Sequence, residues 1–330
     1  MKVCIVGAGA IGGWIGARLA AAGVAVSAIA RGDTLAALRQ HGWRLQTADG
    51  MVQSPVAAVS ADAAALGPQD LVIIAVKGPA LAAVAQGLGP LLGPQTVVLP
   101  AMNGVPWWFC QGLPEFAEPL ACVDAGGAIA AAIPFARVLG CVVHGSTAVS
   151  EPGLVQHKGG NGLIVGEPQG GRSERAQQVA DVLARGGFTV THSENVRQAI
   201  WYKLWGNMTM NPISAITGAT VDRILGDPLV RAFCAQAMVE AQVIGARIGC
   251  AIDETPEARN AITAKLGAFK TSMLQDAQAG RPLELDAIVG AVHEIGGRLG
   301  LPTPSIAAVL GLTRLMARVH GLYPDSATAA

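Results

Sequence analysis

The sequence predicts an α/β domain followed by an all-α domain, and three observations carry that expectation. An apolar run at the N-terminus, Val3–Val6, leads through Gly7-Ala-Gly-Ala-Ile-Gly12 into a segment with helical periodicity. Strand-like and helix-like segments then alternate as far as residue 192. From residue 195 onward only helical periodicity remains, so the expected division is residues 1–194, an α/β Rossmann-type domain, and residues 195–330, an all-α domain. A chain of 330 residues accommodates two such cores.

Each glycine of the first motif has a physical task. Gly7 permits the tight turn out of the strand, Gly9 lets a pyrophosphate approach the backbone, and Gly12 lets the helix pack closely on the sheet. Ala8, Ala10 and Ile11 complete the loop, and the helix carried by Ile11, Ile15, Leu19 and Ala22 offers its unpaired N–H groups to the phosphates. In a chain with 42 glycines, the placement between a strand and a helix, with a second strand over 24–29 behind, gives the motif its weight.

Composition excludes several classes. With 51% hydrophobic and 14% charged residues, the chain lies far from disordered composition. Lys+Arg and Asp+Glu balance at 23 each, which gives no electrostatic case for nucleic acid or an anionic membrane surface. No basic segment and cleavage site precede the first strand, so no signal peptide is expected. Gly, Pro or charge interrupts the apolar stretches, so no transmembrane helix is expected. Cys4, Cys110, Cys122, Cys141, Cys234 and Cys250 form no C-x-x-C or Cys/His cluster and read as reduced, mostly buried small hydrophobes, with no metal site. The expected compartment is the cytoplasm.

The second strand ends at Ile29-Ala-Arg31-Gly-Asp33, where the adenosine ribose of a dinucleotide belongs. The first ionisable residue there is Arg31, a cation suited to a 2′-phosphate, which favours NADP. Asp33 is the carboxylate an NAD site would use; it reads instead as the cap of a helix over 34–41. Short strands follow over 43–47 and 55–59, then a buried parallel strand over 70–76 that ends in Lys77. Its place at a strand's carboxyl end puts Lys77 at the cofactor edge, although a solvated lysine opening a loop has the same position. The next strand, 96–99, runs into Asn103-Gly104, a turn signal whose amide could contact nicotinamide or substrate. Trp107, Trp108 and Phe109 read as a lid or a domain contact.

From 120 to 166, β-rich segments at 138–149, 154–157 and 163–165 alternate with Gly and Pro and read as antiparallel strands extending the sheet. His144 and His157 lie among them as structural residues. An amphipathic helix over 173–184, capped by Ser173, and a strand over 188–191 close this half.

The helical half carries two polar constellations. Lys203, Asn207 and Asn211 are spaced four apart, and each step of four turns a helix by only about 40°, so the three share one face. Trp201, Leu204, Trp205 and Met208 point elsewhere and suit a core. A stripe facing water would show the same spacing; facing a cofactor, Lys203 is the proton donor and the amides hold substrate. The second runs from Lys270 to Gly290: a helix ends near Gly280 and another starts near Glu284, with Asp286 in its first turn, where the macrodipole favours acids in any case. The tail 324–330 reads as frayed.

On these residues the chain resembles the ketopantoate reductases (2-dehydropantoate 2-reductases). The resemblance runs through Gly7–Gly12, Ala30-Arg31, Val76-Lys77, Asn103-Gly104, Trp201-Tyr-Lys203-Leu…Asn207…Asn211 and Ser272-Met-Leu-Gln-Asp276…Glu284-Leu-Asp286. It implies a Rossmann domain joined to a helical domain like that of 6-phosphogluconate dehydrogenase. It implies NADPH as hydride donor, Lys203 as general acid, Asn207, Asn211 and Ser272 on a 2-keto acid, and Glu284 on Lys203 or the substrate hydroxyl. Arg31 would take the 2′-phosphate, and Lys77 and Asn103 the nicotinamide side. The implied reaction reduces ketopantoate to pantoate, in pantothenate and coenzyme A biosynthesis. Two departures bear on the substrate's tail: Met102 stands where the family often has Gln, and Trp107-Trp108-Phe109 is bulky. The rival readings are a reductase of the same plan for another keto acid, a 3-hydroxy acid dehydrogenase, and an NADPH-binding regulator without turnover. A homodimer is compatible with the long apolar helical half.

Overall fold

The computed structural model describes residues 1–325; the expected frayed tail, 324–330, lies outside the described residues from 326 on. The chain forms two compact units, one of residues 1–102 and 126–199, the other of residues 103–125 and 200–330. The observed junction at 199/200 falls five residues beyond the expected one, and the excursion 103–125 into the second unit has no counterpart in the periodicity.

The first unit contains β1 (Val3–Val6), α1 (Ala10–Ala21), β2 (Val26–Ile29), α2 (Gly32–His41), β3 (Trp43–Thr47), β4 (Gly50–Ser54), β5 (Val59–Ser60), β6 (Gln69–Ile74), α3 (Gly78–Ala85), β7 (Leu92–Pro100), α4 (Ala128–Ala132), β8 (Gly140–Glu151), β9 (Leu154–Gly166), α5 (Glu174–Arg185) and β10 (Thr189–Ser193). The first sheet is parallel, in the order β5-β2-β1-β6-β7. The chain runs outward from β1 to β2 and β5, then returns to β1's other side with β6, which makes β1/β6 the topological switch point. Val3, Ile5, Leu71 and Ile73 are fully buried, as continuous apolar strands covered on both faces must be.

The remaining strands correct the expectation. They do not extend the first sheet but form a second one, β10-β9-β3-β4, with β8 antiparallel on β9. β10 and β3 pair with β9 in parallel. The segments read as separate strands at 154–157 and 163–165 are one strand whose glycines, including Gly159 and Gly160 at positive φ, interrupt the alternation. The 55–59 segment contributes only its end, to β5. Ser173 caps α5 as its spacing predicts, accepting from Ala176 N–H at 3.1 Å.

α1 lies between the two sheets, and its glycines explain how. A Cβ on Gly12 would sit 2.1 Å from the Gly7 carbonyl oxygen and 2.8 Å from Ile5 Cγ2, so that face meets the first sheet at backbone distance. A Cβ on Gly13 or Gly16 would sit 2.6 Å from Val155 Cγ2 or the Trp43 ring of the second sheet. Trp14, fully buried, stacks on His157 and meets Phe188 edge-on.

The second unit takes α6 (Val196–Thr217) from Ile200 on, then α7 (Val221–Gly226), α8 (Pro228–Arg247), α9 (Pro256–Ala264), α10 (Ser272–Gln278), a π-helical turn (Asp286–Gly290), α11 (Ala291–Arg298) and α12 (Pro304–Val319). Among the described residues no strand follows Ser193. Trp201, Leu204, Trp205 and Met208 are buried, and the two indoles donate from α6 to the Ala241 and Met238 carbonyls of α8. Trp107, Trp108 and Phe109 are not a lid: all three are buried, and Phe109 stacks on Trp201 with ring centres 5.9 Å apart. Their area belongs to a core because the burial of three large rings outweighs any exposed use.

By length and composition alone α8 is apolar enough to cross a membrane, as core helices can be, and the expectation of no transmembrane helix is not overturned. Glu240 within α8 breaks the apolar run in sequence but is buried, its carboxylate accepting from the Ser305 and Ile306 N–H groups at the start of α12.

Candidate active site

The first unit builds a loop edge from three aligned strands. Val6 is in register with Ile29 on one side and Ile74 on the other, so β1, β2 and β6 end together. Gly7, Arg31 and Lys77 follow these ends. Gly7 has φ +94 and its N–H donates to the Ile29 carbonyl, a turn only glycine makes without strain. Gly9 is the N-cap of α1 and carries no side-chain cap. The first ladder bond is Gly13 N–H to Gly9 carbonyl; the N–H groups of Ala10, Ile11 and Gly12 find no carbonyl partner among the described residues. A Cβ on Gly9 would meet nothing within 4 Å, so space stands open beside these amides. Unpaired N–H groups, a positive helix end without acidic residues and room at Gly9 fit a dinucleotide's pyrophosphate.

Arg31 and Lys77 occupy the N-cap positions of α2 and α3 and are exposed. α2 therefore begins two residues earlier than expected, and Asp33 lies in its first turn without capping it. Arg31 is the first charged group beyond β2, on the side where the ribose belongs.

The second unit brings Asn103 and Lys203 together: Lys203 Nζ donates to Asn103 Oδ1 at 2.7 Å. Asn103 therefore belongs with the lysine rather than with the loop residues of the first unit. Two contacts hold it there. Val105, buried, donates its N–H to the Ala287 carbonyl at 2.7 Å. Gly104, at φ +82, lies so close to the π-helical turn that a Cβ would stand 2.5 Å from the same carbonyl oxygen. Glu284, half-buried, lies three residues before Ala287. Lys203 and Asn207 are half-buried on α6; Asn211, one turn on, is 5% exposed and is followed by Pro212 inside the helix. Ser272 is exposed at the first position of α10.

Sequence reasoning missed the groups that fasten residues 118–122 to α11. The Glu294 carboxylate accepts from the Ala121 and Cys122 N–H groups at 2.8 and 2.9 Å and pairs with Arg298, which donates to the Glu118 and Pro119 carbonyls. Burial alone would raise the Glu294 carboxyl; these hydrogen bonds outweigh it and hold it below its usual value. The only signal in sequence was an i,i+4 Glu–Arg pair, which looks like any surface pair. The Asp286 carboxyl is pushed up by burial although Tyr323 O–H donates to it at 2.6 Å.

A glycine loop at the switch point of a parallel sheet, and a lysine held by an amide in a helical unit, define a nicotinamide-dependent oxidoreductase of the Rossmann-plus-helical type. The family model described as ketopantoate reductase PanE/ApbA matches residues 3–170, and its C-terminal companion matches residues 195–317. The chain belongs to the ketopantoate reductase family. It is 43% identical to the 2-dehydropantoate 2-reductase of Mesorhizobium japonicum, over 98% of this chain and all of that one. Among solved structures, one assigned as a ketopantoate reductase from Ralstonia solanacearum MolK2 is 55% identical, with a TM-score of 0.93 over 98% of this chain and 99% of that one. The 2-dehydropantoate 2-reductase of Methylococcus capsulatus is 27% identical, with a TM-score of 0.81 over 97% of this chain and 98% of that one.

Proposed function

We propose that the protein reduces 2-dehydropantoate (ketopantoate) to pantoate with NADPH, in pantothenate and coenzyme A biosynthesis. The observation that carries this is the Lys203–Asn103 bond, with Asn207 and Asn211 on the same face of α6, in a chain of this family.

A bound nicotinamide supplies the hydride. Charge grows on the ketone oxygen as the hydride arrives, and the Lys203 ammonium stabilises that charge and gives up a proton. The Asn103 amide oxygen accepts one of the ammonium's three protons and fixes its direction. Asn207, Asn211 and Ser272 orient the keto acid, which sets the face that is attacked. Glu284 engages Lys203 or the substrate hydroxyl. Residues 7–12 hold the pyrophosphate, Arg31 the 2′-phosphate, and Lys77 and Asn103 the nicotinamide side. In this reading residues 1–194 are the NADP-binding part and 195–330 the substrate part, with Asn103 supplied to the latter. The compartment is the cytoplasm, the assembly a homodimer, and the balanced charge leaves no role for nucleic acid or membrane.

Met102, half-buried beside Asn103, favours one second reading: the same chemistry on another 2-keto acid. NADPH oxidation followed by absorbance, with ketopantoate beside a panel of 2-keto acids, decides between them. Fastest turnover on ketopantoate supports the proposal, and fastest turnover on another acid supports the second reading. Tight NADPH binding without any turnover would leave a regulator and overturn both.

A further inference from the structure

We infer that Ser214 and Thr271 are positioning residues of the substrate site, their hydroxyls forming a directed hydrogen-bond chain that fixes Ser272 relative to Asn211. The inference rests on the reading that Ser272 and Asn211 hold the keto acid.

Thr271 is the N-cap of α10, and its Oγ1 accepts from the Leu274 N–H at 3.2 Å. Ser214 lies one turn beyond Asn211 on α6 and donates from Oγ to the Asn211 carbonyl at 2.9 Å. The two hydroxyl oxygens, 57 residues apart in sequence, are within hydrogen-bond distance of each other. Counting protons fixes the direction. Each hydroxyl has one, and Ser214 spends its proton on the Asn211 carbonyl, so Thr271 must donate to Ser214. The chain then runs from Leu274 N–H through Thr271 and Ser214 to the Asn211 carbonyl, with each hydroxyl proton used once. Ser214 is fully buried and Thr271 is 3% exposed, so no water competes for these bonds.

Capping does not need this chain. Thr271 satisfies the start of α10 by its own acceptor, and Arg281 fastens the other end through Asp276, with Nε to Oδ1 at 2.9 Å. What the Ser214 hydroxyl adds is a link between two helices. α10 is seven residues long, and Ser272 is its first residue, next to the linked Thr271. Removing the Ser214 hydroxyl keeps the cap and releases the position of Ser272 against Asn211.

The test is steady-state kinetics on ketopantoate for Ser214→Ala, Thr271→Val and Thr271→Ser, in the parent and in a Ser272→Ala background. NADPH affinity and Tm are measured for each. Losing one buried hydroxyl link predicts a KM for the keto acid raised about five- to tenfold in Ser214→Ala, with NADPH affinity unchanged. Thr271→Ser restores most of the parental KM, because its hydroxyl keeps both bonds. In the Ser272→Ala background the Ser214 change adds less than about twofold, because the two effects share one route. A Ser214→Ala variant with lower Tm and parental KM, beside a Ser272→Ala variant with raised KM, overturns the positioning role alone. A full effect of Ser214→Ala persisting in the Ser272→Ala background also overturns it. Ser272→Ala with a parental KM overturns the substrate-site reading and the inference with it. Thr271→Val is not needed for any of these outcomes if it fails to fold.

Discussion

Replacing Gly104 by Ala tests how Asn103 reaches Lys203. Two costs can be worked from the structure. Gly104 has φ +82, where a side chain is strained by about 1 kcal/mol. Its new Cβ would stand 2.5 Å from the Ala287 oxygen and 2.6 Å from the carbonyl carbon, both backbone atoms that cannot rotate away. Relief requires separation of the 103–105 segment from the π-helical turn, which breaks the Val105 N–H to Ala287 bond and leaves a buried amide unpaired, about 1–3 kcal/mol. The sum is a loss of about 2–4 kcal/mol, read by urea unfolding. A displacement of Asn103 by 1 Å from Lys203 lowers kcat/KM on the order of a hundredfold, read from NADPH oxidation. Gly300→Ala is the control: it has φ +67 with nothing within 4 Å, so it carries the strain without the clash. Equal stability losses in the two variants, with parental kcat/KM in Gly104→Ala, would refute the docking of Asn103 by Ala287.

Three further outcomes are expected. Lys203→Ala lowers kcat on the order of a hundred- to ten-thousandfold while NADPH affinity, measured by fluorescence titration, stays parental; near-parental turnover would remove Lys203 from its role. Arg31→Ala raises the KM for NADPH about tenfold or more and leaves the KM for NADH unchanged, since only NADPH carries the 2′-phosphate. Glu167 pairs with Arg175 at 2.6 Å; burial raises its carboxyl, but the bonds from Arg175 and Ser173 outweigh that and hold it below its usual value. A depressed folded-state pKa stabilises above the unfolded value and is lost as pH falls. The stability gap between the parent and Arg175→Met is therefore widest at neutral pH and closes below about pH 4.3; a gap independent of pH contradicts the pairing.

The glycine loop was legible because each of its glycines answers a local demand: a turn at Gly7, an opening at Gly9, a close approach at Gly12. The α6 face was legible from spacing alone, since Lys203, Asn207 and Asn211 repeat every four residues. The second sheet was not, because the parallel partners of β9 come from both sides of it in sequence and no local pattern announces a pairing over such a distance. The burial of Trp107, Trp108 and Phe109 was equally hidden, since an apolar run reads the same in a core and on a lid. The fastening of residues 118–122 by Glu294 and Arg298 depends on carbonyl and N–H groups that every sequence possesses.

The interrupted course of the second unit restricts how such a protein can be shuffled. A single crossover at 194/195 between two relatives would give Asn103, Gly104 and Phe109 from one parent, and Lys203, Ala287 and Trp201 from the other. Each of those pairs is matched at contact distance, so wherever the parents differ at these positions the hybrid would inherit a mismatch in one core. Exchange of a complete helical unit requires residues 103–125 to travel with residues 200–330, as a double insertion rather than a terminal swap. Recombination within this architecture should therefore preserve linkage between two stretches some hundred residues apart. A truncated chain beginning at residue 200 would start life with one face of the Trp201 indole stripped of Phe109.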